Sequence, residues 1–138
     1  MAYLVAYIAC VLVMGGLDFL WLTNTSGAVY HRDLGPLLAT DPNMGVAVVF
    51  YVTYIVGVLI FAVRPALARP GGQGGGWKTA ILYGALFGFF TYATYDLTNF
   101  ATLKVWTLRV TVLDIAWGTV LTAITATAGT LAALKFAR

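Results

Sequence analysis

The sequence predicts an all-α integral membrane protein, an antiparallel bundle of four transmembrane helices, on three observations. Of its 138 residues, 61% are hydrophobic and 9% charged, against about 45–50% and about 25% in a soluble domain. The mean hydropathy is +0.88. Four stretches of the chain reach the roughly 20 mostly apolar residues that a bilayer crossing needs. A chain this short has too much surface for its volume to hide that apolar content from water. A soluble enzyme, a nucleic-acid binder and a disordered region are therefore excluded. The net charge of +3 comes from eight Lys and Arg, thinly spread, so it reads as membrane topology and not as a footprint for phosphates.

The first span, Ala2–Leu22, holds Asp18. No Lys or Arg precedes it, its apolar run exceeds a signal-peptide core and no clear A-x-A site follows, so it reads as a retained helix. It also holds Cys10, the only cysteine; an intramolecular disulfide is excluded, and a small packing hydrophobe is expected. The loop 23–43 carries Asp33, Asp41 and His31, the histidine reading as a solvated surface residue. The second span, Met44–Val63, has no charge. Residues 64–78, rich in Pro and Gly, are expected to be a flexible linker carrying Arg64, Arg69 and Lys78. The third span, Thr79–Asn99, contains Asp96 and a small-xxx-small pattern at Gly84, Ala85 and Gly88, which allows close helix approach. Gly15, Gly16 and Gly118 are expected to give similar clearance on the first and fourth spans. The fourth span, Val110–Leu134, contains Asp114 and is followed by Lys135 and Arg138. All four form one domain, residues 1–138.

Four crossings put both termini and the linker on one side, with five basic residues; Arg32, Lys104 and Arg109 lie on the other. The positive-inside rule then makes the termini and linker cytoplasmic.

All five acidic residues are Asp, and under this topology all lie toward the outer side. Asp18, Asp96 and Asp114 meet at one depth in the outer leaflet. The strings Leu17-Asp18-Phe19-Leu20-Trp21 and Leu113-Asp114-Ile115-Ala116-Trp117 share the pattern L-D-x-x-W, which sets each Asp on one helical face with its Trp. Tyr92, Asp96 and Asn99 share a face at i, i+4 and i+7. An ionised Asp facing lipid costs on the order of 2.5–3.5 kcal/mol at mid-membrane, less toward the interface. The three should therefore point inward or at the interface, each with a partner. Arg32, Lys104 and Arg109 are the only bases on that side; Tyr92, Tyr95, Thr98, Asn99 and the indoles supply hydrogen bonds. Two carboxyls brought together would hold a proton between them. Trp21, Trp106 and Trp117 near the outer boundary and Trp77 at the inner one read as interfacial anchors, with Trp21 and Trp117, beside Asp, as the exceptions.

The ligand sets of zinc, di-iron and haem centres are missing. So are a phosphate loop, a G-x-S-x-G nucleophile and an intramembrane Lys. No metal or cofactor is expected, although an oxygen-ligand cation site built from Asp18, Asp96 and Asp114 stays open.

The run Tyr95-Asp96-Leu97-Thr98-Asn99-Phe100-Ala101-Thr102-Leu103, followed by Trp106 and flanked by the two L-D-x-x-W strings, resembles the hallmark of a family of predicted bacterial inner-membrane proteins known only as a domain of unknown function. The resemblance covers essentially the whole chain. It implies a four-helix membrane protein in which these Asp and Trp positions are the signature, and it brings no activity, substrate or cofactor.

Two functions of different kinds follow. The first is an outward-facing site that binds, and moves, a small molecule, ion or lipid headgroup, with Asp18, Asp96 and Asp114 supplying charge, Tyr92 and Asn99 hydrogen bonds, and Trp21 and Trp117 the walls. The second is an accessory subunit, packing as a homo-oligomer or in a larger membrane complex through the apolar faces of spans two and four (Thr119, Thr122, Thr125, Thr127, Thr130), with the Asp cluster as a structural clasp. A lipid-modifying enzyme with a carboxylate as general acid or base is a third reading; no nucleophile or metal set supports it. Membrane lipids are expected as neighbours and nucleic acid is not.

Overall fold

The computed structural model of the protein describes residues 1–69 and 75–137; most of the Gly-rich stretch, at 70–74, and Arg138 lie outside the described residues. The described residues are mostly helical, and none of them forms a strand. Helix α1, Ala2–Thr25, continues as a π-helical turn at Ser26–His31, a short α-turn at Arg32–Leu34 and a 3-10 turn at Gly35–Leu37. The expected outer loop is thus mostly a helical cap. Helix α2, Met44–Val58, is N-capped by Asn43, whose side chain accepts from the Val46 amide at 3.1 Å. It continues through a π-helical segment at Leu59–Val63 into Arg64–Ala68. Helix α3 is Gly75–Thr102, and helix α4 is Leu108–Phe136, capped by Thr107.

The expected linker 64–78 is therefore helical at both ends. Pro65 sits in Arg64–Ala68, directly after the π-helical segment. Among the described residues, three helical rods are long and apolar enough to cross a membrane: Ala2–Leu37, Met44–Ala68 and Leu108–Phe136. Helix α3, with 28 residues, spans about 42 Å at 1.5 Å per residue, but Lys78, Asp96, Asn99 and its threonines make it less apolar.

Large apolar side chains point outward, as at Leu12, Phe19, Val49 and Phe90, while small ones such as Ala6, Cys10, Ala80, Ala126 and Ala133 are prominent in the interior beside Met14, Ile55 and Leu121. That inversion suits helices whose surroundings are lipid, where close backbone approach drives association. The most extensive packing is α3 on α4, then α1 on α4. A Cβ on Gly84 would stand 2.8 Å from the Thr122 carbonyl oxygen and 2.9 Å from the Ala126 Cβ; one on Gly88 would collide with Gly118 and Thr122. A Cβ on Gly129 would come within 2.6 Å of the Cys10 sulfur, and the Cys10 thiol lies buried, 3.5 Å from the Thr125 carbonyl oxygen it donates to. Gly15 and Gly16 differ from expectation: nothing stands within 4 Å of a Cβ at either, so they face outward and provide no helix clearance.

The threonine row of α4 is largely internal. Thr122, Thr125 and Thr130 are buried, and Thr122 pairs with the Tyr54 hydroxyl at 2.7 Å. Thr119 and Thr127 donate back to the carbonyls four residues earlier at 2.8 and 2.7 Å. The buried threonines face the protein's own helices, while Val120, Ile124 and Leu131 of the same helix and the large apolar side chains of α2 stay exposed.

Candidate functional site

The helical cap 26–37 closes over the end of α1 and the start of α4. Val29, Leu34 and Val110 are buried together there, packed by Tyr30, Trp106 and Leu113. The Thr107 hydroxyl ties the cap to α4: it accepts from the Val110 amide at 3.1 Å and donates to Asp33 at 2.9 Å. Arg109 reaches the Ala28 carbonyl at 2.8 Å, and so serves the cap and not the intramembrane acids.

Beneath this cap lies a cavity of about 540 Å³. Asp18, Trp21, Tyr92, Asn99, Asp114 and Trp117 line it, although they come from three helices. The remaining candidate, Asp96, lies behind that wall with 0% exposure. Helix periodicity explains the split. Tyr92, Asp96 and Asn99 share one face of α3, and the central member turns deepest, toward Asp114.

The partners of the acids are aromatic. Asp18 accepts from the Trp117 indole N–H at 3.1 Å and from the Tyr51 hydroxyl through its other oxygen. Asp114 accepts from the Tyr30 hydroxyl at 2.7 Å, and that hydroxyl accepts from the Trp21 indole N–H at 3.0 Å. The two indoles stack with centroids 4.6 Å apart and planes within 5°. Each motif tryptophan thus serves the aspartate of the other motif, directly from Trp117 and through Tyr30 from Trp21. The reason is reach. Antiparallel helices place the two motifs face to face, and a side chain pointing into a bundle meets the opposite helix more readily than a carboxylate one turn away on its own.

Asp96 is different in kind. Neither of its oxygens has a hydrogen-bond partner, and its charged neighbour is the Asp114 carboxyl. Two carboxylates offer acceptors only, so this pair can hydrogen-bond only with a proton between them. The Trp106 indole N–H is likewise buried without a partner, its ring edge-on to Tyr95 at 5.6 Å. An oxygen-ligand metal site is not assembled: among the described residues no three His, Cys, Asp or Glu side chains group closely enough to hold a metal ion.

Tyr30, Tyr51 and Trp106 belong to this site and were not among the expected residues. Tyr30 lies in a segment that reads as a loop, and Tyr51 sits in a run of apolar residues with no acidic neighbour in sequence. Only the packing of the cap and of α2 brings them to the acids.

The chain belongs to the family described as predicted membrane protein (DUF2177), whose model matches residues 3–131. It is therefore a membrane protein of a family whose function is unknown. No curated protein and no solved structure matches it.

Proposed function

We propose that this member of the family crosses the bacterial cytoplasmic membrane four times, with both termini cytoplasmic, and binds a small molecule or a lipid headgroup at an outward-facing site under the helical cap. The observation that carries this reading is the convergence of six side chains from α1, α3 and α4 on one cavity of about 540 Å³, within the 300–1,000 Å³ range of ordinary ligand sites. Asp18 and Asp114 supply charge, Tyr92 and Asn99 polar contacts, and the stacked Trp21 and Trp117 a rigid wall.

A clasp that merely pins helices together needs partners for its acids and no space. Asp18 has donors from two other helices and Asp114 has the Tyr30 hydroxyl, as a clasp needs, but both also face the cavity, and Asp96 has no donor at all.

Native mass spectrometry of the gently extracted protein tests the reading. A reproducible small-molecule or lipid adduct, lost in Asp96→Asn and in Asp114→Asn while both variants stay folded, is expected. A stoichiometric partner protein and no adduct would overturn it and make the chain a subunit.

A further inference from the structure

On the reading of the capped cavity as a binding site, we propose that its ligand is an organic cation, an ammonium group carried either by a free amine or by a lipid headgroup. The wall of the cavity holds two carboxylates, six aromatic rings and one amide, and no Lys, Arg or His. Buried negative charge is normally paired with a cation or a metal. Among the described residues no cationic side chain lines the cavity to pair with them, and Arg109 is turned to the cap. Nor do the described residues assemble a metal-binding group of three.

The donors point the same way. An anionic ligand needs free N–H or O–H groups, but the Trp117 and Tyr51 donors are committed to Asp18, and the Trp21–Tyr30 chain to Asp114. Asn99, Tyr92 and Trp106 still offer polar atoms to the cavity, but the only formal charge on its wall is carboxylate, and with the ring faces beside it that favours an ammonium group. Asp96, fully buried behind Asp114 with no hydrogen-bond partner on either oxygen, brings no cation to that wall.

A second cavity of about 430 Å³ shares Tyr92, Tyr95 and Asp114 with the first and is otherwise lined by Phe50, Tyr54 and Thr91. An ammonium group at Asp114 therefore has apolar space beside it for a hydrocarbon portion, between α2 and α3. This accommodates the lipid source as well as the free one.

The test uses the full chain in phosphatidylglycerol nanodiscs, with the fluorescence of the stacked tryptophans as readout. Choline should change it saturably. The uncharged carbon isostere, in which a tert-butyl group replaces trimethylammonium, should bind about tenfold more weakly or worse. Because this comparison needs no variant, a folding defect cannot confuse it. Discs doped with phosphatidylethanolamine separate the sources. Retention of that lipid in the native mass spectrum, weakened by Asp114→Asn, assigns the lipid headgroup; choline binding without lipid retention assigns a free amine. Equal binding of choline and its isostere would overturn the proposal. So would an adduct that carries no ammonium group and is removed by Asp114→Asn, although that result would leave the cavity standing as a site. Neither an adduct nor a choline response would take down both readings.

Discussion

The indole N–H of Trp117, on the fourth helix, donates across 3.1 Å to the carboxylate of Asp18 on the first. Asp18 is buried, so the contact lets a charged group sit inside a bundle where it would otherwise lack a donor on that oxygen. The same two helices are joined again by the Trp21–Trp117 stack. The contact therefore combines a charge-assisted hydrogen bond with aromatic packing at one place.

Trp117→Phe keeps a ring for the stack and removes the donor. Leaving a buried acceptor without one of its donors costs about 1–3 kcal/mol, so thermal unfolding in detergent should shift downward. In the Asp18→Asn background the same substitution should cost less, with a coupling of about 0.5–3 kcal/mol for residues in contact. Additive effects would mean that the bond contributes nothing.

Tyr30→Phe cuts two hydrogen bonds at once, the donation to Asp114 and the acceptance from Trp21. The segment Ser26–Leu37 should exchange its amide hydrogens faster, while the α3–α4 interface keeps its protection. Hydrogen exchange read by mass spectrometry checks this. Unchanged exchange in the cap would show that Val29 and Leu34 hold it without the tyrosine.

Gly118→Ala places a methyl group in the Tyr92 ring. Overpacking of this kind costs about 1–3 kcal/mol, and it should also disturb the cavity wall that Tyr92 forms. Gly15→Ala meets open space, and replacing an interior helical glycine with alanine should stabilise by roughly 0.5–1 kcal/mol. Opposite shifts in melting temperature for the two alanines are expected; a fall in both would contradict the outward placement of Gly15.

Asp96→Asn removes a buried carboxyl that has no hydrogen-bond partner and supplies an amide that can donate to Asp114. The variant should melt at or above the temperature of the parent protein. A clear loss of stability would mean that the carboxyl itself is needed to hold α3 against α4.

The sequence by itself determined the class of the molecule and named most of the polar residues that line the capped cavity. An apolar fraction of 61% in 138 residues leaves no stable arrangement in water. Asp residues inside apolar runs are costly enough that they must gather, and six of the seven residues expected to gather line one cavity. Helical periodicity was also enough to put Tyr92, Asp96 and Asn99 on one face, because the 3.6-residue turn is a local property.

Tertiary packing decided who pairs with whom. Local spacing sets Asp18 beside Trp21, but hydrogen bonds in a bundle run to whichever donor the neighbouring helix presents, and here that is Trp117. The cap followed the same rule: residues 26–37 look like a loop by composition, yet they continue the helix because Val29 and Leu34 find a buried place against Val110. Tyr51 became a partner of Asp18, and Asp96 was left without one, for reasons that depend on distances between helices, which no single helix encodes.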